Sequence, residues 1–576
     1  MNAERFRKEV IDKAEKAANA AVLCTGHLVG MAVRRQLIRK SHNGRFVSEK
    51  TLQKILKSSC DTEYGKKYGF ADITSREEYQ EKVPLSTYDD YSSYIKRMMN
   101  NGEQNLITGK RIKFYSATSG TVRERKMIPT AAAFDQLKGS ILLADDLFKA
   151  MRMKGLKRLW GKGLLTTEIM PMSSEKDKNG LKVDVGVISA YAVGILKFLL
   201  PVLISQPGDT LLNPEIRDMR YIKSRYAMQD RELTYLGGVF TTALVDYIDY
   251  IKKNHEMLIH DIETGTIDTS VDISLRMRQK LEKELSPDPV RAAELRAVFD
   301  DPDGGPLLDR MWPDLAMMCF VGTGDFMPFT RKARAEAGSR VPFHFLQYSA
   351  SENFFGQVMR LEDTSYLLFP EGGFYEFIPV EGEYDRPLFM DELEIGKLYE
   401  MVVTNKAGLY RYMLRDVIRV TGYEGQTPYI EFAYRANLVS DTSAIHMTTE
   451  HLDKLIEELE QETGTHIEEY CMYQDSSCNP PGNDLFFEAN EGTADWDMEA
   501  VSEFVEMRLR EINWDYRFCR ESGKIRQIRL RPLEPGTCSR YRSIQLENGA
   551  SANQLKVARV VRKEEMLQYL LQNLER

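Results

Sequence analysis

Apolar positions in residues 1–60 recur every three to four residues, the spacing of one face of a helix. Leu52, Ile55 and Leu56 share such a face, which predicts a helix starting at Ser48. Residues 17–33 carry no formal charge, but Asn19, Thr25, Gly26, His27 and Gly30 interrupt them, and the run falls short of the roughly 20 apolar residues that cross a membrane. They are read as a helix packed on the body, with no membrane span. From Val83 onward, strand-like runs (RIKFYS, LYEMVVTN, YIEFAY) alternate with amphipathic helices such as the one over residues 243–258, the signature of a mixed α/β fold. No repeat of fixed period is visible.

A second unit begins after residue 432. TTEHLDKLIEELEQET reads as an acidic amphipathic helix, followed by strands (IEEYCMYQD, DLFFEA, IRQIRLRPL) and helices (MEAVSEFVEMRLREI, KEEMLQYLLQNLE) of a small α+β domain. SSCNPPGND reads as a turn inside it. The expected organisation is a large domain over residues 1–432 with a helical arm over residues 1–80, a hinge at 433–440 without a Gly/Ser spacer, and a small domain over 441–576.

At 576 residues the chain exceeds the roughly 250–300 at which a single core stops growing, in keeping with two domains. A net charge of -8 with both signs interspersed leaves no electrostatic footprint of a nucleic-acid binder and favours a small-molecule substrate. Seven scattered cysteines without a CxxC pair suggest neither a disulfide framework nor a zinc site, and point to the reducing cytoplasm. The mixed charges ahead of the uncharged run argue against a signal peptide.

Three segments carry candidate chemistry. In YSATSGTVRERK, residues 115–126, Thr118, Ser119, Gly120 and Thr121 follow the strand RIKFYS, where hydroxyls and turn N–H groups can surround phosphate oxygens, and Lys126 can add a charge. It is not a Walker A loop, and such a turn alone is more often just a turn. In LQYSASENFFG, Tyr348 offers a ring for adenine, Ser351 a hydroxyl and Glu352 a carboxylate suited to Mg2+; a strand end with an exposed acid is the plainer alternative. In GLYRYMLRDVIRVTGY, Asp416 sits among alternating apolar residues, where either a ribose diol or an ion pair with Arg411, Arg415 or Arg419 would satisfy it.

YSATSGTVRERK, MLIHDIETG, YSASENFFG, FYEFIP, YRYMLRDVIRVTGY and NQLKVAR, in that order, resemble the Gretchen Hagen three family of acyl-acid amido synthetases, from about Val83 to the C-terminus. The resemblance implies an α/β fold of the adenylate-forming, luciferase-like type: a large mixed α/β N-terminal adenylation domain and a small mobile α+β C-terminal domain. It implies ATP and Mg2+ as cofactors, a carboxylic acid activated as its acyl-adenylate, and an amino acid or other amine as acceptor. Carried onto this chain, it gives the phosphate role to Ser116 and Thr118 to Thr121. Tyr348, Ser351 and Glu352 take the adenine and metal roles, and Asp416 the ribose role. Arg435 would lie near the nucleotide at the hinge, and Lys556 would reach the reacting phosphate.

The sequence also departs from that pattern. The superfamily loop reads TSGTTGxPK where this chain has Val122 and Arg123, so the backbone at Arg123 has lost a glycine's freedom. After the hinge, Ile445 and His446 replace an acid-lysine pair, and a histidine is largely neutral near pH 7. An acyl-CoA ligase shares the first half-reaction, but the hinge YRANLVSD lacks the paired acids of GRxDDxIK. A catalytically idle nucleotide- or acyl-binding homologue is the other alternative. The acyl pocket is expected between the helix over residues 134–147, which carries Lys138, and the strand before Tyr348.

Overall fold

The computed structural model describes residues 3–118, 126–130, 133–166, 173–176, 178, 180, 182–186, 198–211, 213–323, 326–380, 384–435, 438–440, 447–490, 492–538, 540–541, 544, 560–561 and 564–575. The chain divides into two compact units, one of residues 1–117 and 127–434, the other of 118–126 and 435–576.

In the first unit the N-terminal segment is one helix, Ala3–His42. Its uncharged stretch is a docking face against the helix Ala133–Met153. A Cβ on Gly26 would stand 2.7 Å from Ala144 Cβ, and one on Gly30 2.5 Å from Asp145 Cβ, so glycines permit the close approach. The polar residues in the stretch are anchors: Asn19 donates to the carbonyls of Gly161 (3.1 Å) and Val202 (2.8 Å), and His27 Nδ1 lies 2.8 Å from Asp145. Arg34 reaches Asp145 and Asp146 at 3.1 and 2.6 Å. Among the described residues no helix is long and apolar enough to cross a membrane.

The next helix runs Gly44–Ser59, four residues ahead of the expected start at Ser48. Ser48 is buried inside it, and a Cβ on Gly44 would clash with Thr427 Oγ1, so tertiary contact fixes the start that a local capping signal misplaced. The expected face is present: Leu52, Ile55 and Leu56 are buried.

Three sheets form the body. Gly163–Leu165, Tyr235–Phe240, Met317–Val321 and Phe343–His344 pair in parallel, as strands joined by helical crossovers do. A second sheet has the order Lys126–Pro129, Phe114–Thr118, Lys182–Gly186, Ser173–Lys176, so the strand expected from RIKFYS begins three residues and ends two residues later than its text. The third has eight strands in the order 388–389, 374–379, 398–404, 412–424, 427–435, 366–368, 354–358, 347–349. MLIHDIETG ends the helix Thr241–Thr264. Gly265 takes φ 74 at its C-terminus, and Asp261 accepts bonds from the Tyr221 hydroxyl and, at 2.8 Å, from Asp268 N–H. That motif closes a helix end, as a left-handed glycine cap does.

The second unit has a sheet in which Ile467–Asp475 and Gly482–Ala489 run antiparallel and Arg529–Pro532 joins in parallel. Leu452, Leu455, Ile456 and Leu459 from Thr449–Thr463 pack with Val505 and Leu509 from Met498–Ile512 and with Leu485 and Phe487 of the sheet. Cys471 and Phe486 instead meet Met566, Leu567 and Leu570 of Glu564–Gln572, so the strands Ile467–Asp475 and Gly482–Ala489 are covered on both faces. SSCNPPGND supplies the connection between the first two strands in residues 476–481, and its last three residues already open Gly482–Ala489.

Candidate functional site

The strand Phe114–Thr118 ends beside the turn that follows Gln347–Ser349, and the two serines meet there. Ser116, fully buried, donates from Oγ to Ser351 Oγ at 2.9 Å. Thr130 Oγ1 stands 3.5 Å from the Ser351 carbonyl. The turn is closed by Ala350 N–H to the Asn353 carbonyl (2.9 Å) and held from outside by Asn353 Nδ2 to the Tyr375 hydroxyl (3.1 Å).

On the next part of the eight-stranded sheet, the Tyr348 hydroxyl donates to Asp416 Oδ2 at 2.7 Å. Both are buried, at 8% and 2% exposure, which makes this a charge-assisted bond in a low-dielectric setting. The Tyr348 ring lies among Phe355, Tyr366 and Phe432, with centroids 5.0, 6.0 and 6.3 Å away. Its burial leaves little of the ring for stacking on a base.

Asp416 is aimed by a bulge. Glu400 pairs with Val417 and Val402 with Met413, so Met401 faces the three residues Leu414, Arg415 and Asp416, and Arg415 takes φ 67. Bulges of this kind redirect a side chain locally. The three arginines offered by the sequence as ion-pair partners engage other groups. Arg411 meets Glu376 at 3.0–3.1 Å and the carbonyls of Gln80 and Val83, Arg415 reaches Glu400 at 3.3 Å, and Arg419 approaches the Gly396 carbonyl at 3.5 Å. Burial pushes the Glu376 carboxyl upward, against the pull of Arg411 and of Gln80.

Glu352 and Lys138 are half-buried; Lys138 Nζ lies 3.1 Å from Glu371, which Lys40 also reaches at 2.8 Å. Lys138 is therefore engaged within the protein. Thr118 closes its strand, Lys126 opens Lys126–Pro129 and Arg435 closes Thr427–Arg435, all three assigned to the second unit. Ser119, Gly120, Thr121, Arg123, His446 and Lys556 lie outside the described residues.

Asn405 was not singled out by the sequence. It is 2% exposed, and its Nδ2 donates to the Glu352 carbonyl at 2.7 Å. Its only signal in the sequence is a polar residue at the end of a strand, which is also what an ordinary turn shows.

Among the described residues no group of three or more His, Cys, Asp or Glu could hold a metal ion. A single carboxylate such as that of Glu352, whatever it meets within the protein, is a donor that fits Mg2+ arriving with a nucleotide, since that ion is commonly held by one or two carboxylates together with phosphate oxygens.

The architecture is that of a solved acyl acid amido synthetase, GH3.15, with a TM-score of 0.62 at 23% identity, covering 94% of this chain and 96% of that one. Domain models described as the GH3 family N-terminal, central and C-terminal domains match residues 33–343, 366–435 and 450–565 in turn. The chain belongs to the GH3 family. It is 27% identical over 540 residues to the probable indole-3-acetic acid-amido synthetase GH3.1 of Arabidopsis thaliana, covering 90% of each chain. To the indole-3-acetic acid-amido synthetase GH3.8 of Oryza sativa subsp. indica it is 28% identical over 546 residues, covering 89% of this chain and 88% of the relative.

Proposed function

We propose that the protein is an ATP-dependent acid-amido synthetase that activates a carboxylic acid as its acyl-adenylate and transfers the acyl group to an amine, in the first instance an amino acid. Family membership supports the reaction class. The observation that carries the site is the buried pair Tyr348–Asp416 beside Ser116–Ser351, a carboxylate and hydroxyls on neighbouring segments.

In the first step a carboxylate oxygen of the acid attacks the α-phosphorus of ATP, and the bond to pyrophosphate breaks. In the second, an amine nitrogen attacks the acyl carbon, loses a proton, and AMP departs. The chain's task is to hold two anions together and disperse their charge. Ser116, Ser351 and the segment carrying Thr118, Ser119, Gly120, Thr121 and Lys126 would donate to phosphate oxygens, and Asp416 would accept from the ribose diol. Mg2+, held by Glu352, would neutralise phosphate charge. Arg435 and Lys556 would act from the hinge and the C-terminal domain, with rotation about residues 433–440 exchanging the lysine for an acceptor channel. Seven free thiols support placing the protein in the reducing cytoplasm.

ATP–pyrophosphate exchange across a panel of carboxylic acids tests the first step, and mass spectrometry of products with amino acids or CoA separates amide from thioester formation. An inert protein with every acid tried would sink the reading. Lys556→Ala should slow exchange more than acyl transfer from preformed adenylate; unchanged exchange removes Lys556 from the first step.

A further inference from the structure

We infer that Asn405 is a positioning residue that sets the aim of the Glu352 carboxylate. This rests on the reading of Glu352 as the ligand of nucleotide-bound Mg2+.

Asn405 follows the strand Leu398–Thr404 and opens the loop that returns to Tyr412–Glu424. Its Oδ1 accepts the N–H groups of Ala407 at 2.9 Å and Leu409 at 3.1 Å, while its own N–H donates to the Leu409 carbonyl at 2.9 Å. Two N–H donors on one side identify that atom as the oxygen, so the amide nitrogen faces the Glu352 carbonyl. An amide does both tasks at once, folding its own loop and reaching out of it.

The loop is a firm base for that reach. Gly408 takes φ 106, and a Cβ there would meet the Ile107 backbone at 2.9 Å. The Tyr410 hydroxyl donates to the Ile107 carbonyl at 2.6 Å, and Arg411 N–H to Thr404 Oγ1 at 2.9 Å.

The held turn is less well secured on its other side. The carbonyl before Glu352, that of Ser351, has Thr130 Oγ1 at 3.5 Å, the limit of a hydrogen bond, whereas the carbonyl of Glu352 itself has Asn405 at 2.7 Å. Asn405 thus holds the peptide plane after Glu352, the backbone from which the side chain is carried. Freed of that bond, the turn keeps its internal Ala350–Asn353 closure and its Ser116–Ser351 and Asn353–Tyr375 bonds, but the Glu352 carbonyl loses the partner that holds its peptide plane.

Asn405→Asp separates the two tasks. The carboxylate still accepts from Ala407 and Leu409, but its second oxygen faces the Glu352 carbonyl with no proton to share. Asn405→Ser gives the same comparison with a hydroxyl too short to reach Glu352, should the aspartate fail to fold. Calorimetry on the full chain should show the Kd for Mg·ATP raised on the order of tenfold by either variant. Kd for metal-free ATP in EDTA should stay near that of the parent, a value that general damage would move; the thermal midpoint falls with the buried bond lost, and far-UV circular dichroism confirms that each variant is folded. Glu352→Gln serves as the reference. If Glu352→Gln weakens Mg·ATP and both Asn405 variants, folded, bind it like the parent, the positioning role is overturned while the site reading stands. If Glu352→Gln itself leaves Mg·ATP binding unchanged, the metal role of Glu352 falls first.

Discussion

Replacing Asp416 by asparagine isolates the charge of the buried carboxylate with almost no change of shape. The side chain is 2% exposed and accepts the Tyr348 hydroxyl at 2.7 Å. The amide oxygen of an asparagine can still accept that bond, so folding should change little; loss of a buried charge offsets loss of the charge assistance. A ribose diol presents two further O–H donors, and here the substitution matters. Hydrogen bonds to charged groups contribute about 1.5–3 kcal/mol against about 0.5–1.5 for neutral ones, and one of the two acceptor oxygens becomes an NH2 donor. A loss of about 1.4–2.8 kcal/mol corresponds to a Kd for ATP raised roughly 10- to 100-fold. Isothermal calorimetry with ATP, paired with a thermal midpoint for each protein, measures both quantities. Tyr348→Phe, which alters the donor and leaves the carboxylate, should weaken ATP less. An Asp416→Asn protein that folds normally and binds ATP like the parent would refute the ribose assignment.

The remaining predictions concern stability. His451 is buried, which lowers its pKa to about 4 in the folded protein, against about 6.5 for an exposed histidine. Between pH 6.5 and 4 the unfolded chain takes a proton that the folded one refuses. The second unit should lose up to about 3 kcal/mol as pH falls through that window, and His451→Gln should flatten the loss in Trp496 and Trp514 fluorescence melts. Arg411→Met leaves the Glu376 carboxylate, 1% exposed, without its guanidinium though still bonded by Gln80 Nε2, and strands the carbonyls of Gln80 and Val83; it should cost about 3–5 kcal/mol in denaturant unfolding, with partial recovery when Glu376→Gln is added. A loss under about 1 kcal/mol would show the pair to be incidental. Gly139→Ala would place a Cβ 2.8 Å from Phe354 Cζ and 3.2 Å from Gln357 Oε1, so the usual helix gain of about 1 kcal/mol should turn into a net loss in the melting temperature.

The sequence by itself determined the mixed α/β class, the strand and helix texts on either side of residue 432, and the residue types of the candidate site. Hydroxyls after a strand and a carboxylate among apolar alternation are local signals, because side-chain direction in a strand follows a period of two. Family membership was legible in the same way, from six short segments in order. Contacts between distant segments were not. The Ser48 helix start was overridden by Gly44 packing on Thr427, and the choice among Arg411, Arg415 and Arg419 for Asp416 was decided by what each arginine meets in the fold: Glu376, Glu400 and the Gly396 carbonyl. The glycines and polar residues that break the uncharged run at 17–33 acquired meaning only against Ala144, Asp145, Gly161 and Val202. Asn405 shows the limit most clearly: the two loop bonds of its side chain are local, whereas the one to the Glu352 carbonyl spans 53 residues, and only the fold brings the Asn405 amide within 2.7 Å of it.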